Sequence, residues 1–383
     1  MTAVLFGQAS DPKPSESRKV LEEGVLPGSI KIPGTDLSLK IGGYVKMDFI
    51  QDFDSIGNQF QFKTDTIPVK GTAAADLGGQ TTLHARETRV NLVLHGETPK
   101  GKFRAFFEGD FYGDSSNFRT RPAFGEFGNL LGGQTWTTFM DISARPRSLD
   151  YEGPDGEVFV RQAMFRWTQP LSDHWKLAIA VEQSGSQFTL PLGFIGAARN
   201  NTPDFPAFLR YERGRGHFQV ASILRQIRFD GQSGSPDIST TGWGINSSFR
   251  LNTYGKSGIL GSAVFGNGLG RYIESLNGQN ADAVFHGNAL KALPARAAVI
   301  AYEQHWSRHW QSNFTYAYAG LTSDASQPAS TIRRTQDVRG NLIWSPYRML
   351  DLGGELLWGR RDNRTGDNGD ALRFQFSMIF NLN

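Results

Sequence analysis

The sequence predicts an all-β fold, a transmembrane antiparallel up-and-down β-barrel of about sixteen strands. Three observations lead there. Bulky apolar residues recur at every second position. Short and long connections alternate along the chain, and the face opposite the apolar residues carries many charges. The last stretch, "LRFQFSMIFNL", shows the first point: Leu372, Phe374, Phe376, Met378, Phe380 and Leu382 alternate with Arg373, Gln375, Ser377, Ile379 and Asn381. A period of two is that of a strand with one apolar and one mostly polar face.

From the N-terminus, "MTAVLFGQAS" has no basic residue and an apolar run of only four, so it is not a secretory signal peptide. An exported protein would have lost its signal before this numbering begins. "DPKPSESRKVLEEGVLPG" is polar and proline-containing, and residues 1–30 read as a periplasmic tether with a short helix around Ser15–Glu23. The barrel domain occupies 31–383. Alternation begins at Leu37, where Leu39, Ile41, Val45, Met47 and Phe49 face one way and Ser38, Lys40, Tyr44, Lys46 and Asp48 the other. Strands are expected near 37–53, 83–95, 102–112, 118–127, 130–136, 157–169, 174–184, 206–213, 216–230, 239–252, 257–269, 296–307, 309–322, 333–345, 349–362 and 370–382.

The connections sort into two sets. "GETPKG", "FGN", "PLSDH", "RGRG", "NTYGKS", "SRH" and "PYRM" are short, and they alternate with longer ones near 54–82, 137–156, 185–205 and 270–295. Short turns at one end and long loops at the other are the plan of an outer-membrane barrel, not of a sandwich or propeller. The polar face carries Arg89, Arg104, Glu108, Asp110, Arg339, Asp351, Glu355 and Arg373. A soluble core could not absorb so many charges without large desolvation costs. The apolar face therefore points to lipid and the charged face to water. Trp167, Trp175, Trp306, Trp310, Trp344, Tyr347 and Trp358 are candidates for interfacial girdles.

Composition agrees and excludes other classes. The 383 residues include no cysteine, so disulfides and thiolate metal sites are ruled out. A net charge of +3 is too small to imply nucleic acid. No run of about 18 apolar residues suggests a transmembrane helix. H-E-x-x-H, G-x-S-x-G and the P-loop pattern are all missing from the sequence. His305 and His309 are four apart but straddle an expected turn, and "NGQNADAVFHGN" lacks the EF-hand spacing, so no metal or cofactor is expected.

A barrel of this size leaves an aqueous channel, and the segment that would narrow it is "TTFMDISARPRSLDYEGPDGE". Counting outward loops from the N-terminus, it is the third. Its two prolines and Gly-containing turns favour a folded segment. It carries Asp141, Asp150, Glu152, Asp155 and Glu157 with Arg145 and Arg147. The alternative is an exposed loop with solvated charges.

"GSIKIPGTDLSLKIGGYVKMDFIQDFD", "GEFGNLLGGQTWTTFMD" and "LDYEGPDGEVFVRQAMFRW" resemble the DcaP-like outer-membrane porins of Gram-negative bacteria. The likeness runs from Gly28 over most of the chain and is densest before about Leu190. It implies a sixteen-stranded barrel in the bacterial outer membrane, surrounded by lipid and usually homotrimeric, with loop 3 folded inward. It also implies passage of small organic acids, including dicarboxylic and aromatic acids. Carried onto this chain, loop 3 is Thr137–Gly156, facing Arg104, Arg119, Arg121 and Arg166. With the other inward arginines, the expected basic wall is Arg89, Arg104, Arg119, Arg121, Arg166, Arg225, Arg339 and Arg361. The expected constriction residues are Asp141, Arg145, Arg147, Asp150, Glu152 and Asp155. Two departures stand out. The family's longer, often coiled-coil N-terminal segment is short or missing here, and the chain ends in Asn383 rather than an aromatic residue, with Phe380 nearby.

The expected function is a diffusion channel for small hydrophilic solutes that favours organic anions. Opposed charges on loop 3 and the arginine wall would set up a transverse field. An outer-membrane barrel enzyme of the lipase or protease type would need a Ser/His/Asp constellation, and a soluble β-sheet binding module would need a dry core.

Overall fold

The alternating stretches close into one sheet. The computed structural model describes residues 22–382, in which sixteen long strands and three short flanking segments (Ile30–Lys31, Thr81–His84, Gly196–Ala198) form a single antiparallel barrel. The first eight strands are β1 (Leu37–Asp52), β2 (Arg89–Thr98), β3 (Gly101–Asp110), β4 (Arg119–Phe127), β5 (Leu130–Trp136), β6 (Arg161–Pro170), β7 (Trp175–Glu182) and β8 (Phe205–Arg213). The remaining eight are β9 (Gly216–Gly231), β10 (Ile238–Asn252), β11 (Gly258–Asn267), β12 (Pro294–His305), β13 (Trp310–Leu321), β14 (Ile332–Tyr347), β15 (Leu350–Asn363) and β16 (Asn368–Asn381). Each pairs with its sequence neighbours. Pairing of β1 with β16, from Tyr44↔Asn381 to Asp52↔Arg373, closes the cylinder and leaves no sheet edge.

Two expected strands differ in detail. The second is interrupted: Thr81–His84 pairs with the far end of β1, and β2 resumes at Arg89. The sixth begins at Arg161 rather than 157, because residues 157–160 belong to the inward loop. The expected tether falls mostly on residues 1–21, outside the described part. Glu23 forms an isolated bridge with Ile30 instead of a helical turn.

The direction of each face is settled by burial. Outward, Val45, Met47, Phe49, Phe165, Leu224, Phe314, Leu342, Leu356, Phe376 and Phe380 are exposed. Inward, Arg373, Gln375, Ser377, Glu355, Arg339 and Asp337 are buried. This inverts a soluble protein and requires an apolar surrounding medium. Trp167, Trp175, Trp306, Trp310, Trp344 and Tyr347 gather at the short-turn end, where Trp310 and Trp344 stack at 5.7 Å. Trp358 lies further up β15 and is not part of that belt.

The burial of the inward charges corrects one expectation. They do not stand around open water, because three long loops fold into the barrel and cover them. Loop 1 (53–80), loop 3 (137–160) and the loop between β11 and β12 (268–293) meet there. Phe139, Val158, Leu269, Tyr272, Ile273 and Leu276 build an apolar plug against Ala221, Ile223, Val264, Ala295, Ala297 and Ala319 of the inner wall. The wall on that side carries small and aliphatic residues, and the plug buries them. The barrel wall is lowest at β5, seven residues long, which is the strand that leads into loop 3.

Single cysteines at 374, 376 and 380 should be quenched by a bilayer-dissolved probe, whereas those at 373, 375 and 377 should be silent to it and slow toward a water-soluble reagent. Equal reactivity on both faces would contradict the barrel.

Candidate functional site: the constriction

Loop 3 crosses the lumen and is fastened on three sides. Near its start, Asp141 accepts from Ser143 Oγ at 2.6 Å and from Ser248 Oγ of β10 at 2.9 Å, pairs with Arg210 of β8 at 3.1 Å, and lies 2.7 Å from His217 Nε2 of β9. Burial opposes ionisation, but the hydrogen bonds from His217 and Ser143 hold this carboxyl well below the usual carboxylate range. Asn246 Nδ2 donates to the Phe139 carbonyl. In mid-loop, Glu355 of β15 accepts from the backbone N–H of Leu149 at 2.6 Å and of Asp150 at 2.9 Å, and from Ser148 Oγ at 3.0 Å. Lys46 of β1 and Gln375 of β16 donate to the Leu149 carbonyl. Further on, Asp155 N donates to Asp337 of β14 at 2.8 Å. Gly156 lies so close to the backbone oxygens of Ala298 and Tyr318 that a Cβ would come within 2.4 Å of both. Only glycine fits where the loop meets the far wall.

The loop's acidic residues are spent on these attachments. Asp150 accepts from Phe62 N and faces Arg339 and Arg373, Glu152 pairs with Lys63 of loop 1, Asp155 accepts from Thr64, and Glu157 pairs with Arg145 at 3.0 Å. Arg147 pairs with Asp351 at 2.7 Å. Burial and the adjacent Glu152 push the Glu274 carboxyl of the β11–β12 loop well above its ordinary range. The side of loop 3 turned to the arginine wall therefore presents no row of free carboxylates. What it presents is Tyr151, stacked on Tyr112 with ring centroids 4.1 Å apart.

The eight arginines expected to form a wall divide. Arg89, Arg119 and Arg121 cluster at the long-loop ends of β2 and β4, whereas Arg104 and Arg166 lie on the same wall near its short-turn end. Arg225 is fully buried on β9, where it holds Asp282 at 3.0 Å and the Gly268 carbonyl, so it fastens the plug. Arg339 is sealed beneath loop 3 with Asp337, and Arg361 donates to loop carbonyls of Asp65 and Ser330. Their alternation is correct, but inward is not the same as lining water once loops fill that half of the lumen.

The open half lies between Tyr151 and β2–β6. There Arg104 and Arg119 keep 40% and 34% of their side chains exposed, against 2% for Arg339 across the lumen. This wall is not a bare cation ladder. Arg104 pairs with Glu126 at 2.9 Å, Arg119 with Asp110 at 2.7 Å, Arg121 with Glu108 and Asp110 at 2.9 and 2.8 Å, and Arg89 with Glu87 at 3.2 Å. Arg161 Nη1 and Arg166 Nε are buried with no hydrogen-bond partner among the described residues. Aromatic rings alternate with the guanidiniums. Arg104 lies over Phe106 and Phe124, Arg119 over Tyr112 and Tyr151, Arg89 over Tyr44, and Arg161 over Trp136. On the short-turn side of loop 3 a cavity of about 440 Å³ is lined by Glu126, Arg166, Lys176, Arg210 and Asp141.

Sequence reading did not single out Tyr151, Tyr112, Phe106, Phe124 or Arg161. Strict alternation places Arg161 opposite in phase to Arg166. At the strand's loop end its guanidinium nevertheless lies over Trp136, 5.1 Å from the ring centre. The structure also brings Ser143, His217 and Asp141 together, residue types of a hydrolase triad. Both Asp141 Oδ2 (2.7 Å) and Ser143 Oγ (3.5 Å) approach the same ring nitrogen, Nε2, and Ser143 donates to Asp141. A general base needs its orienting carboxylate on the other nitrogen. This cluster is a loop anchor.

A closed sixteen-stranded barrel, apolar outside and polar inside, with an inward loop and a charged slot beside it, has the construction of a porin-type channel of the bacterial outer membrane. The chain belongs to the DcaP outer membrane protein family, whose model matches residues 29–382. No curated protein matches the chain. Among solved structures, the outer membrane channel DcaP of Acinetobacter baumannii is similar at a TM-score of 0.79 and 19% identity, over 90% of this chain and 97% of that one. An anion-selective porin from Comamonas acidovorans is similar at 0.60 and 12%, over 90% and 100%. A trimer form of OmpT from Vibrio cholerae is similar at 0.54 and 9%, over 91% and 100%. At these identities the likeness is one of fold.

Glu355→Ala should leave the barrel assembled but release the middle of loop 3. Each buried donor left without an acceptor costs about 1–3 kcal/mol. The expected result in planar bilayers is an open current with frequent added transitions, and a quiet current would contradict the anchoring role.

Proposed function

We propose that this outer-membrane channel passes small hydrophilic solutes and favours organic anions, dicarboxylic and aromatic acids among them. The observation that carries the reading is the slot beside loop 3, in which arginines of β2–β4 and β6 are interleaved with aromatic rings. A guanidinium is permanently charged and matches a carboxylate with a planar fork, while the rings accept the flat or apolar part of an organic acid. Pairing of most of these arginines with Asp110, Glu108, Glu126 and Glu87 fits transport better than capture, because each solute contact competes with an existing one and stays weak. The guanidinium atoms of Arg161 and Arg166 left without partners bias the slot toward anions. Similarity in fold to an anion-selective porin and to a trimeric one supports anion preference and a homotrimer.

The test is planar-bilayer conductance with the reversal potential in a salt gradient. Replacing Arg104 and Arg121 by Gln leaves Glu126, Glu108 and Asp110 less compensated. It should shift the reversal potential toward cations and slow succinate more than glucose in liposome swelling. Equal slowing of both solutes would mean that the arginines only shape the pore.

Shortening Ser143–Gly153 should raise conductance while the barrel still assembles. Because the same segment carries Ser148, Leu149 and Asp150, it should also strip Glu355 of its partners and lower thermal stability. Unchanged conductance would place the permeation path elsewhere.

A further inference from the structure

At the narrow side of loop 3, two guanidiniums converge on one neutral oxygen. Arg119 Nη2 and Arg121 Nη1 both donate to the Tyr151 hydroxyl, each at 2.5 Å. The two arginines belong to the same strand, and Asp110 braces them from β3 through Arg119 Nε at 2.7 Å and Arg121 Nη1 at 2.8 Å. The phenol is held in place from its other end, where its ring stacks on Tyr112 at 4.1 Å. The Arg89 guanidinium lies 6.0 Å from the Tyr151 ring centre and has a buried Nε with no partner among the described residues. A pair of charged forks meeting at one oxygen, with a third cation close by, is the donor arrangement that recognises a carboxylate. Here a phenol oxygen fills it. Arg119 remains about one-third exposed, so the seat opens to the lumen on that side.

We propose that the Tyr151 hydroxyl is a resident placeholder in a carboxylate seat formed by Arg119 and Arg121. A solute carboxylate takes the seat by displacing the phenol oxygen and leaves when the phenol returns. No bond is made or broken apart from hydrogen bonds. The inference rests on the anion-channel reading and adds to it a specificity-determining residue on the loop, opposite the wall. It also accounts for a requirement of transport: two strong donors facing an empty lumen would hold an organic acid too long to conduct it, and an internal acceptor on a tethered loop supplies the competition. Tyr151 is suited to this because its oxygen accepts like a carboxylate oxygen but carries no full charge. Each arginine keeps its own carboxylate partner, Asp110 or Glu108, so a solute carboxylate competes only for the donors that the phenol holds.

The experiment uses the full-length channel in planar bilayers with succinate as the probe and glucose as the neutral control. Tyr151→Phe keeps the ring and its stacking on Tyr112 and removes only the competing oxygen. Succinate-induced interruptions of the current should lengthen by roughly tenfold, the effect of removing one charge-assisted competitor. Glucose entry should change far less than succinate binding, because glucose carries no charge to take the seat and the loop stays fastened by Glu355, Lys46 and Asp337. Combining Tyr151→Phe with Arg119→Gln should remove most of that lengthening, as expected if the two groups act on one seat. Unchanged or shorter interruptions in Tyr151→Phe would overturn the placeholder. So would a lengthening that persists with Arg119→Gln or a parallel change in glucose entry, since either would mean that the phenol acts only by loosening the loop. Failure of the wider reading is distinguishable, because it would appear as a wild-type channel without anion preference in the salt gradient.

Discussion

The constraint on which the rest depends is that a loop folded inside a membrane barrel brings its own peptide groups with it, and these must find partners away from bulk water. Loop 3 meets that demand on the inner wall. Glu355 takes two consecutive N–H groups and a hydroxyl, Lys46 and Gln375 take the carbonyl of Leu149, Asn246 takes that of Phe139, and Asp337 takes the N–H of Asp155. The charges of the lumen are thus mostly receptors for the loop. A carboxylate accepting several donors is a strong anchor. A single broken partner is costly, because it leaves a buried group unpaired.

This arrangement divides the lumen by chemistry. On β9–β13 small and aliphatic inward residues such as Ala221, Ile223, Ala297 and Ala319 take an apolar plug from loop 3 and the β11–β12 loop, while Arg225, Asn246 and Ser248 fasten the same loops by hydrogen bonds. On β14–β16 and β1 the inward residues are charged and hold loop backbone. Among the described residues β2–β6, with the short-turn ends of β7 and β8, face the open part of the lumen, and on β3 and β4 the carboxylates sit beside the arginines instead of across from them. The expected transverse field between an acidic loop and a basic wall is accordingly replaced by in-wall pairs, with aromatic rings and Tyr151 completing the slot. Short-range pairing of this kind lowers net potential but keeps donors fixed in direction, which favours recognition of planar anions over simple attraction of small ions.

Much of this was legible in the sequence. Strand positions, their faces and the sorting of short and long connections follow from a period of two and from turn residues, because a strand's register leaves no choice about which side each residue takes. Phe376, Phe380, Arg373 and Gln375 lie where that rule puts them. One of the three inward loops was also legible, since the prolines and Gly-containing turns of Thr137–Glu157 favour a folded segment, whereas the inward paths of loop 1 and the β11–β12 loop were not.

What only the tertiary structure decided is which inward residues meet water. Arg104 and Arg339 are indistinguishable by alternation, yet one is two-fifths exposed and the other sealed beneath a loop. Periodicity is a property of neighbours along one strand, whereas burial of an inward residue depends on loops that arrive from a hundred or more positions away, as Glu355 is met by Leu149. The pairing of Asp110 with both Arg119 and Arg121, and the convergence of those arginines on Tyr151, likewise arise from strand register combined with a loop path. The sequence by itself determined a barrel with a polar interior and a loop to narrow it. The path of that loop, set by hydrogen bonds it could find only on the folded wall, decided where the channel runs.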